Sequence, residues 1–228
     1  MDSVRTDRHD AVAARRVPGY LIAWRVVIAG LAWWGLLTAL DGEITQLKYW
    51  SQVSTLTVAL TATVWTVTLA VRSPEWARFL SWCRAASTTY AIITAVIYQT
   101  LLSGHLESTP SLLEHAVVPV LAVLDWVLIG PGQAGRAGGT MRRIVQPWWV
   151  PLTFLLLPIC YLGMYFNART SSGRPLYPFL NPAAADFAGW VFILAVIFLA
   201  VGYLVWGIGL ARSAADRSGP TGHQQISA

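Results

Sequence analysis

Charge is what this chain has least of. Acidic and basic residues together fill 12% of its 228 positions, about half the share of a soluble domain, which excludes a surface wetted on all sides. Lysine is almost missing: Lys48 stands against fifteen arginines, a skew that points to a GC-rich bacterial genome. Two cysteines, Cys83 and Cys160, are too few for a disulfide framework, and their expected positions, a cytoplasmic connection and the outer half of a helix, keep them apart. Of the four histidines, only His105 and His115 are expected on the outer side. They lack closely spaced Cys or carboxylate partners, so no metal and no cofactor is expected. The glycine-rich stretch 130–140 lacks the Gly-Lys-Ser/Thr ending of a phosphate loop and reads as a cytoplasmic linker. There is no basic groove or module for nucleic acid, no internal repeat, and no feature that specifies an oligomeric state.

What the chain has is long apolar runs. It is 55% hydrophobic with twelve tryptophans, and its mean hydropathy is +0.53. About 20 mostly apolar residues make a membrane-crossing helix, and six stretches qualify: 20–40, 49–71, 85–104, 112–130, 148–166 and 187–210. They are too long and too weakly alternating for barrel strands. The expected fold is all-α, an integral membrane bundle of six transmembrane helices. Twelve arginines flank these runs on one side (residues 5, 8, 15, 16, 72, 78, 84, 136, 142, 143, 212 and 217), against Lys48, Arg169 and Arg174 on the other. The positive-inside rule then puts both termini in the cytoplasm of a multi-pass protein of the cell membrane. The net charge of +5 reads as orientation and contact with anionic lipid in the bilayer. The first run follows sixteen polar residues and is about twice a signal-peptide core in length, so it reads as an uncleaved helix. Residues 1–16 and 213–228 are expected to be disordered cytoplasmic ends around a membrane domain spanning 17–212.

Polar residues inside such runs are costly and mark candidate sites. Ser51 lies about one turn into the second run and His115 about one turn into the fourth; both runs enter from the outer side, so the two share a depth. A hydroxyl and an imidazole at one depth have the chemistry of a nucleophile–base dyad. Pro119 lacks the N–H that would bond the His115 carbonyl, so a kink and a polar cavity are expected there. The competing reading of Ser51 is a hydroxyl bonded to the preceding turn, as for the many threonines of its run. Ser51, Thr55, Val58 and Ala62 form a small-residue stripe for close helix approach. Arg25 and Asp125 each lie about five residues inside the cytoplasmic end of their runs, and equal depth allows a buried ion pair, read as structural; the alternatives are separate snorkelling to the inner interface and a proton or ion relay. Glu114 lies about 100° around the helix from His115 and reads either as a gate or as a water-facing residue.

Between the last two runs, Arg174-Pro175-Leu176-Tyr177-Pro178-Phe179-Leu180-Asn181-Pro182 is stiffened by proline. Tyr177, Phe179 and Asn181 are candidates for a lid or for substrate contacts, or the segment is an interfacial anchor. The order Lys48-Tyr49-Trp50-Ser51-Gln52-Val53-Ser54, then His115 before Pro119, then Asp125-Trp126, then Tyr177-Pro178-Phe179-Leu180 resembles the androgen-induced-gene family of multi-span membrane proteins, in its bacterial branch. The likeness runs from about residue 20 to residue 210. Animal members are threonine hydrolases that cleave fatty acid esters of hydroxy fatty acids with one Thr and one His. The resemblance implies Ser51 as nucleophile, in place of threonine, and His115 as base. The expected function is a membrane-embedded lipid ester hydrolase with a Ser/His dyad near the outer face. The alternative is a non-enzymatic transporter, sensor or assembly subunit built around Arg25 and Asp125.

Overall fold

The structure is a computed structural model that describes residues 18–71, 76–130, 146–168 and 173–215. The arginines at positions 5, 8, 15, 16, 72, 136, 142, 143, 169 and 217, most of the 130–140 linker, and the ends 1–16 and 216–228 lie outside the described residues. Among the described residues all regular structure is helical. Six helical rods follow one another: α1 (Gly19–Leu40), α2 (Trp50–Val71), α3 (Ala77–Leu101), α4 (Thr109–Ile129), α5 (Val150–Tyr165) and α6 (Phe187–Ala215). Four of them, α1, α2, α4 and α6, are long and apolar enough to cross a membrane.

The surface agrees with association with a membrane. Val26, Leu37, Val64, Val120, Phe192, Ile193 and Leu204 point outward, while Arg25, Gln52, Arg84, Glu114 and Asp125 are buried. This inverts the sorting expected in water and suits a bilayer as solvent.

Three helices depart from the expected runs. α3 begins at Ala77, eight residues before the expected start at 85, so Arg84 and Cys83 sit in a helix and not in a connection. Arg84 is 4% exposed, so it does not belong with the flanking arginines among which the sequence places it. Arg78, Arg84 and neighbouring hydroxyl residues lower the local hydropathy, which is why the apolar run starts late. α6 runs to Ala215, so residues 213–215 belong to the helix and not to the tail. α5 is broken into Val150–Thr153 and Leu156–Tyr165. Pro158 cannot donate to the Phe154 carbonyl one turn back, and the Tyr90 hydroxyl donates to that carbonyl at 2.9 Å instead.

α1, α2 and α4 meet through small side chains. Ala32 and Ala59 are fully buried beside Ile28, Val58, Ala62, Val118 and Ala122. At Gly35 an added Cβ would lie 3.0 Å from Leu113 Cβ, so glycine permits the approach of α1 to α4. The other core gathers around Trp50, whose ring meets Tyr90, Tyr161 and Phe198 edge-on at centroid distances of 5.1 to 5.6 Å.

Instead of a plain kink, α4 carries two widened π-turns. Leu113–Val117 is one, with the Val118 N–H bonded five residues back to the Leu113 carbonyl. Asp125–Ile129 is the other. Such turns rotate side chains relative to an α-helix and recur at functional sites. The first carries Glu114 and His115, the second Asp125 and Trp126.

Candidate active site

A cavity of about 470 Å3 opens between α2, α3, α5, α6 and the 176–180 segment. Its wall is mostly apolar, from Ile97, Leu155, Leu162, Leu194 and Phe198. Ser51, Gln52 and His115 supply polar groups to it. The residues paired by depth therefore share one cavity.

They are not hydrogen-bonded to each other. The Ser51 hydroxyl donates to Gln52 Oε1 at 3.1 Å, and Gln52 Nε2 donates to Glu114 Oε2 at 3.3 Å. Glu114 is 3% exposed, so it neither gates the entrance nor faces water; the packing of α1 against the π-turn closes over it. Its Oε1 has no partner among the described residues.

His115 is held on two sides. Its Nδ1 lies 3.0 Å from the Ser111 carbonyl. A carbonyl only accepts, so the neutral ring carries its proton on Nδ1 and keeps Nε2 as the basic nitrogen. The ring stacks on Tyr98, with centroids 3.6 Å apart and planes at 18°. The Tyr98 hydroxyl meets the Ser111 hydroxyl at 2.7 Å and donates to the His105 carbonyl at 2.8 Å. Tyr98 thus orients both the ring and the turn that carries its carbonyl partner. It was missed in the sequence because it ends a different helix and belongs to no motif.

The 176–180 segment packs as a cap. Tyr177 and Phe179 line the cavity, and Pro178–Leu180 forms one 3-10 turn. The Tyr177 hydroxyl accepts the Trp50 backbone N–H at 2.7 Å. That N–H is one of the first donors of α2, which no intrahelical carbonyl reaches, and the bond ties the cap to the residue before Ser51. Burial pushes the Tyr177 hydroxyl up to about 12, despite the opposing pull of its hydrogen bonds; the group stays neutral near pH 7. The Tyr165 hydroxyl donates to the Leu180 carbonyl at 2.6 Å and fixes the other end. Asn181 does not line the cavity: its Oδ1 accepts the Ala183 N–H at 3.1 Å and closes a turn.

Arg25 and Asp125 meet at the other end of the bundle, with Arg25 Nε 3.2 Å from Asp125 Oδ1. They are not alone. Arg84 donates to Asp125 Oδ2 from Nη2 at 2.6 Å and from Nε at 3.1 Å, and Trp24 Nε1 donates to Oδ1 at 3.1 Å. Arg84 Nη1 also donates to the Gly130 carbonyl at 3.0 Å, satisfying a carbonyl at the end of α4. The Trp65 ring lies 4.9 Å from the Arg25 guanidinium and 4.8 Å from that of Arg84. The expected pair is thus a triad with two cations.

Among the described residues no group of His, Cys, Asp and Glu is arranged to hold a metal. Cys83 and Cys160 are both free. No family model, no curated protein and no solved structure matches the chain.

Proposed function

We propose that the protein is a membrane-embedded lipid ester hydrolase in which Ser51 is the nucleophile and His115 the general base. The observation that carries the reading is the placement of both residues on one apolar cavity of about 470 Å3, with Nδ1 of His115 occupied and Nε2 left basic. The sequence resemblance to the androgen-induced-gene hydrolases supports it from a separate direction. The bundle crosses the cell membrane six times, with both termini cytoplasmic and the Ser51 cavity near the outer face; the arginine distribution supports this topology.

The chemistry follows from the side chains. The Ser51 hydroxyl turns from Gln52 toward His115, and Nε2 takes its proton as Oγ attacks the acyl carbonyl. The imidazolium returns that proton to the departing alcohol oxygen, leaving an acyl ester on Ser51. Water then attacks this ester while Nε2 accepts its proton, releasing the fatty acid and restoring the serine. The apolar wall holds an acyl chain, and Tyr177 and Phe179 close over it.

The test is hydrolysis of a fatty acid ester of a hydroxy fatty acid by the purified protein. Ser51→Ala and His115→Ala each slow it at least about 100-fold, whereas Ser51→Thr retains activity. Full rates in both alanine variants would sink the proposal. A second reading, a non-enzymatic membrane protein, rests on the buried Arg25–Asp125–Arg84 triad, which ester hydrolysis does not use.

A further inference from the structure

The triad is over-supplied with positive charge. Arg25 and Arg84 are 2% and 4% exposed, and Asp125 is the carboxylate between them. Arg84 spends its donors on Asp125 and Gly130. Arg25 does not: its Nη1 has no partner among the described residues, and its Nε approaches Asp125 without hydrogen-bond alignment. The face of Trp65 between the guanidiniums attracts them but neutralises neither.

Beside Arg25 lies a separate cavity of about 20 Å3, bordered by Arg25, Thr61, Arg84, Ser87, Thr88 and Asp125. Room of that order holds one body the size of a water molecule. Sulfate, phosphate and carboxylates are too large; a chloride ion is only slightly larger than water. A water would bond Arg25 but leave the net charge in place, and an uncompensated charge in a low-dielectric interior is unfavourable. The hydroxyls of Thr61 and Thr88 offer further donors of the kind a halide needs. The cavity is also separate from Ser51: along α2, Thr61, which borders it, lies about 15 Å beyond Ser51.

We propose that this cavity is a binding site for a single halide ion, physiologically chloride, held by Arg25 and neutralising the excess positive charge of the Arg25–Asp125–Arg84 triad. It is a structural anion site that joins α1, α2, α3 and α4, and it does not depend on the hydrolase reading.

The experiment uses the full chain, purified throughout in gluconate and then titrated with sodium chloride, bromide or sulfate at constant ionic strength. Chloride and bromide raise the thermal midpoint saturably, by about 5–10 °C at a hundredfold excess over Kd, and sulfate does not. Arg25→Met removes the excess charge while leaving the Arg84–Asp125 pair, so it folds and loses the halide response; Arg25→Lys keeps the response. Protein crystallised from bromide shows an anomalous peak beside the Arg25 guanidinium. The proposal is overturned if the wild-type midpoint is the same in gluconate and chloride, if Arg25→Met responds like wild type, or if the cavity holds a water and no bromide.

Discussion

Removing the Asp125 carboxylate leaves two buried guanidiniums facing each other. Asp125 accepts from Trp24 and twice from Arg84, and it faces Arg25 at 3.2 Å. Breaking a buried ion pair from one side costs about 3–5 kcal/mol, and the orphaned Trp24 N–H adds about 1 kcal/mol. At about 2–4 °C per kcal/mol for a chain of this size, Asp125→Ala lowers the thermal midpoint by roughly 8–24 °C. The three members should not be equal. Arg84→Met breaks the two bonds to the carboxylate and uncaps Gly130, yet leaves Arg25 to balance Asp125. Arg25→Met breaks only the misaligned contact and removes a charge in excess. The expected order of damage is Asp125→Ala, then Arg84→Met, then Arg25→Met. Thermal unfolding followed by helical circular dichroism in one detergent measures it. The pair Arg84→Met/Asp125→Leu, which buries no lone charge at that contact, should be less harmful than the two single losses added together. Arg25→Met as the most damaging change, or strictly additive losses at Arg84 and Asp125, would mean that Asp125 is not the group that balances the two guanidiniums.

Further changes probe single contacts. A Cβ at Gly209 would stand 2.8 Å from Trp126 Cζ2, so Gly209→Ala should destabilise by about 1–3 kcal/mol through overpacking, read by the same melts. Tyr90→Phe strands the Phe154 carbonyl at the break in α5 and should cost about 1–3 kcal/mol; an unchanged midpoint would mean that another group satisfies that carbonyl. Gly104 packs directly against the Tyr98 ring, so Gly104→Ala should displace Tyr98 from His115 and slow ester hydrolysis while the midpoint falls little. Tyr177→Phe removes the acceptor of the Trp50 N–H and should lower both the midpoint and the hydrolysis rate, the rate by more than Phe179→Leu does.

Much of the helical layout was legible because apolar runs are local signals. Equal depth along helices brought Arg25 to Asp125 and placed Ser51 and His115 on one cavity, since depth is fixed by the 1.5 Å rise per residue. What stayed hidden were partners supplied by distant helices. Arg84 reads as a loop residue until Asp125 gives it a reason to be buried. The apolar run 148–166 reads as one helix; Tyr90, whose hydroxyl completes the Phe154 carbonyl at the break in α5, lies 64 residues from it. Pro119 announced a disturbance at His115 without revealing that it takes the form of a π-turn that buries Glu114. The bond from Ser51 to Gln52 was also unreadable, because neighbours on a helix do not normally face each other and the glutamine amide is turned by Glu114.

In the proposed hydrolase Ser51 is a nucleophile activated by His115. Labelling of the purified wild-type protein in detergent with a fluorophosphonate, beside Ser51→Ala and His115→Ala variants that melt like wild type, tests it most directly. An activated Ser51 gives stoichiometric labelling of wild type, none of Ser51→Ala, and labelling slowed at least about 100-fold in His115→Ala. Equal labelling of all three, or none of the folded wild type, would contradict it.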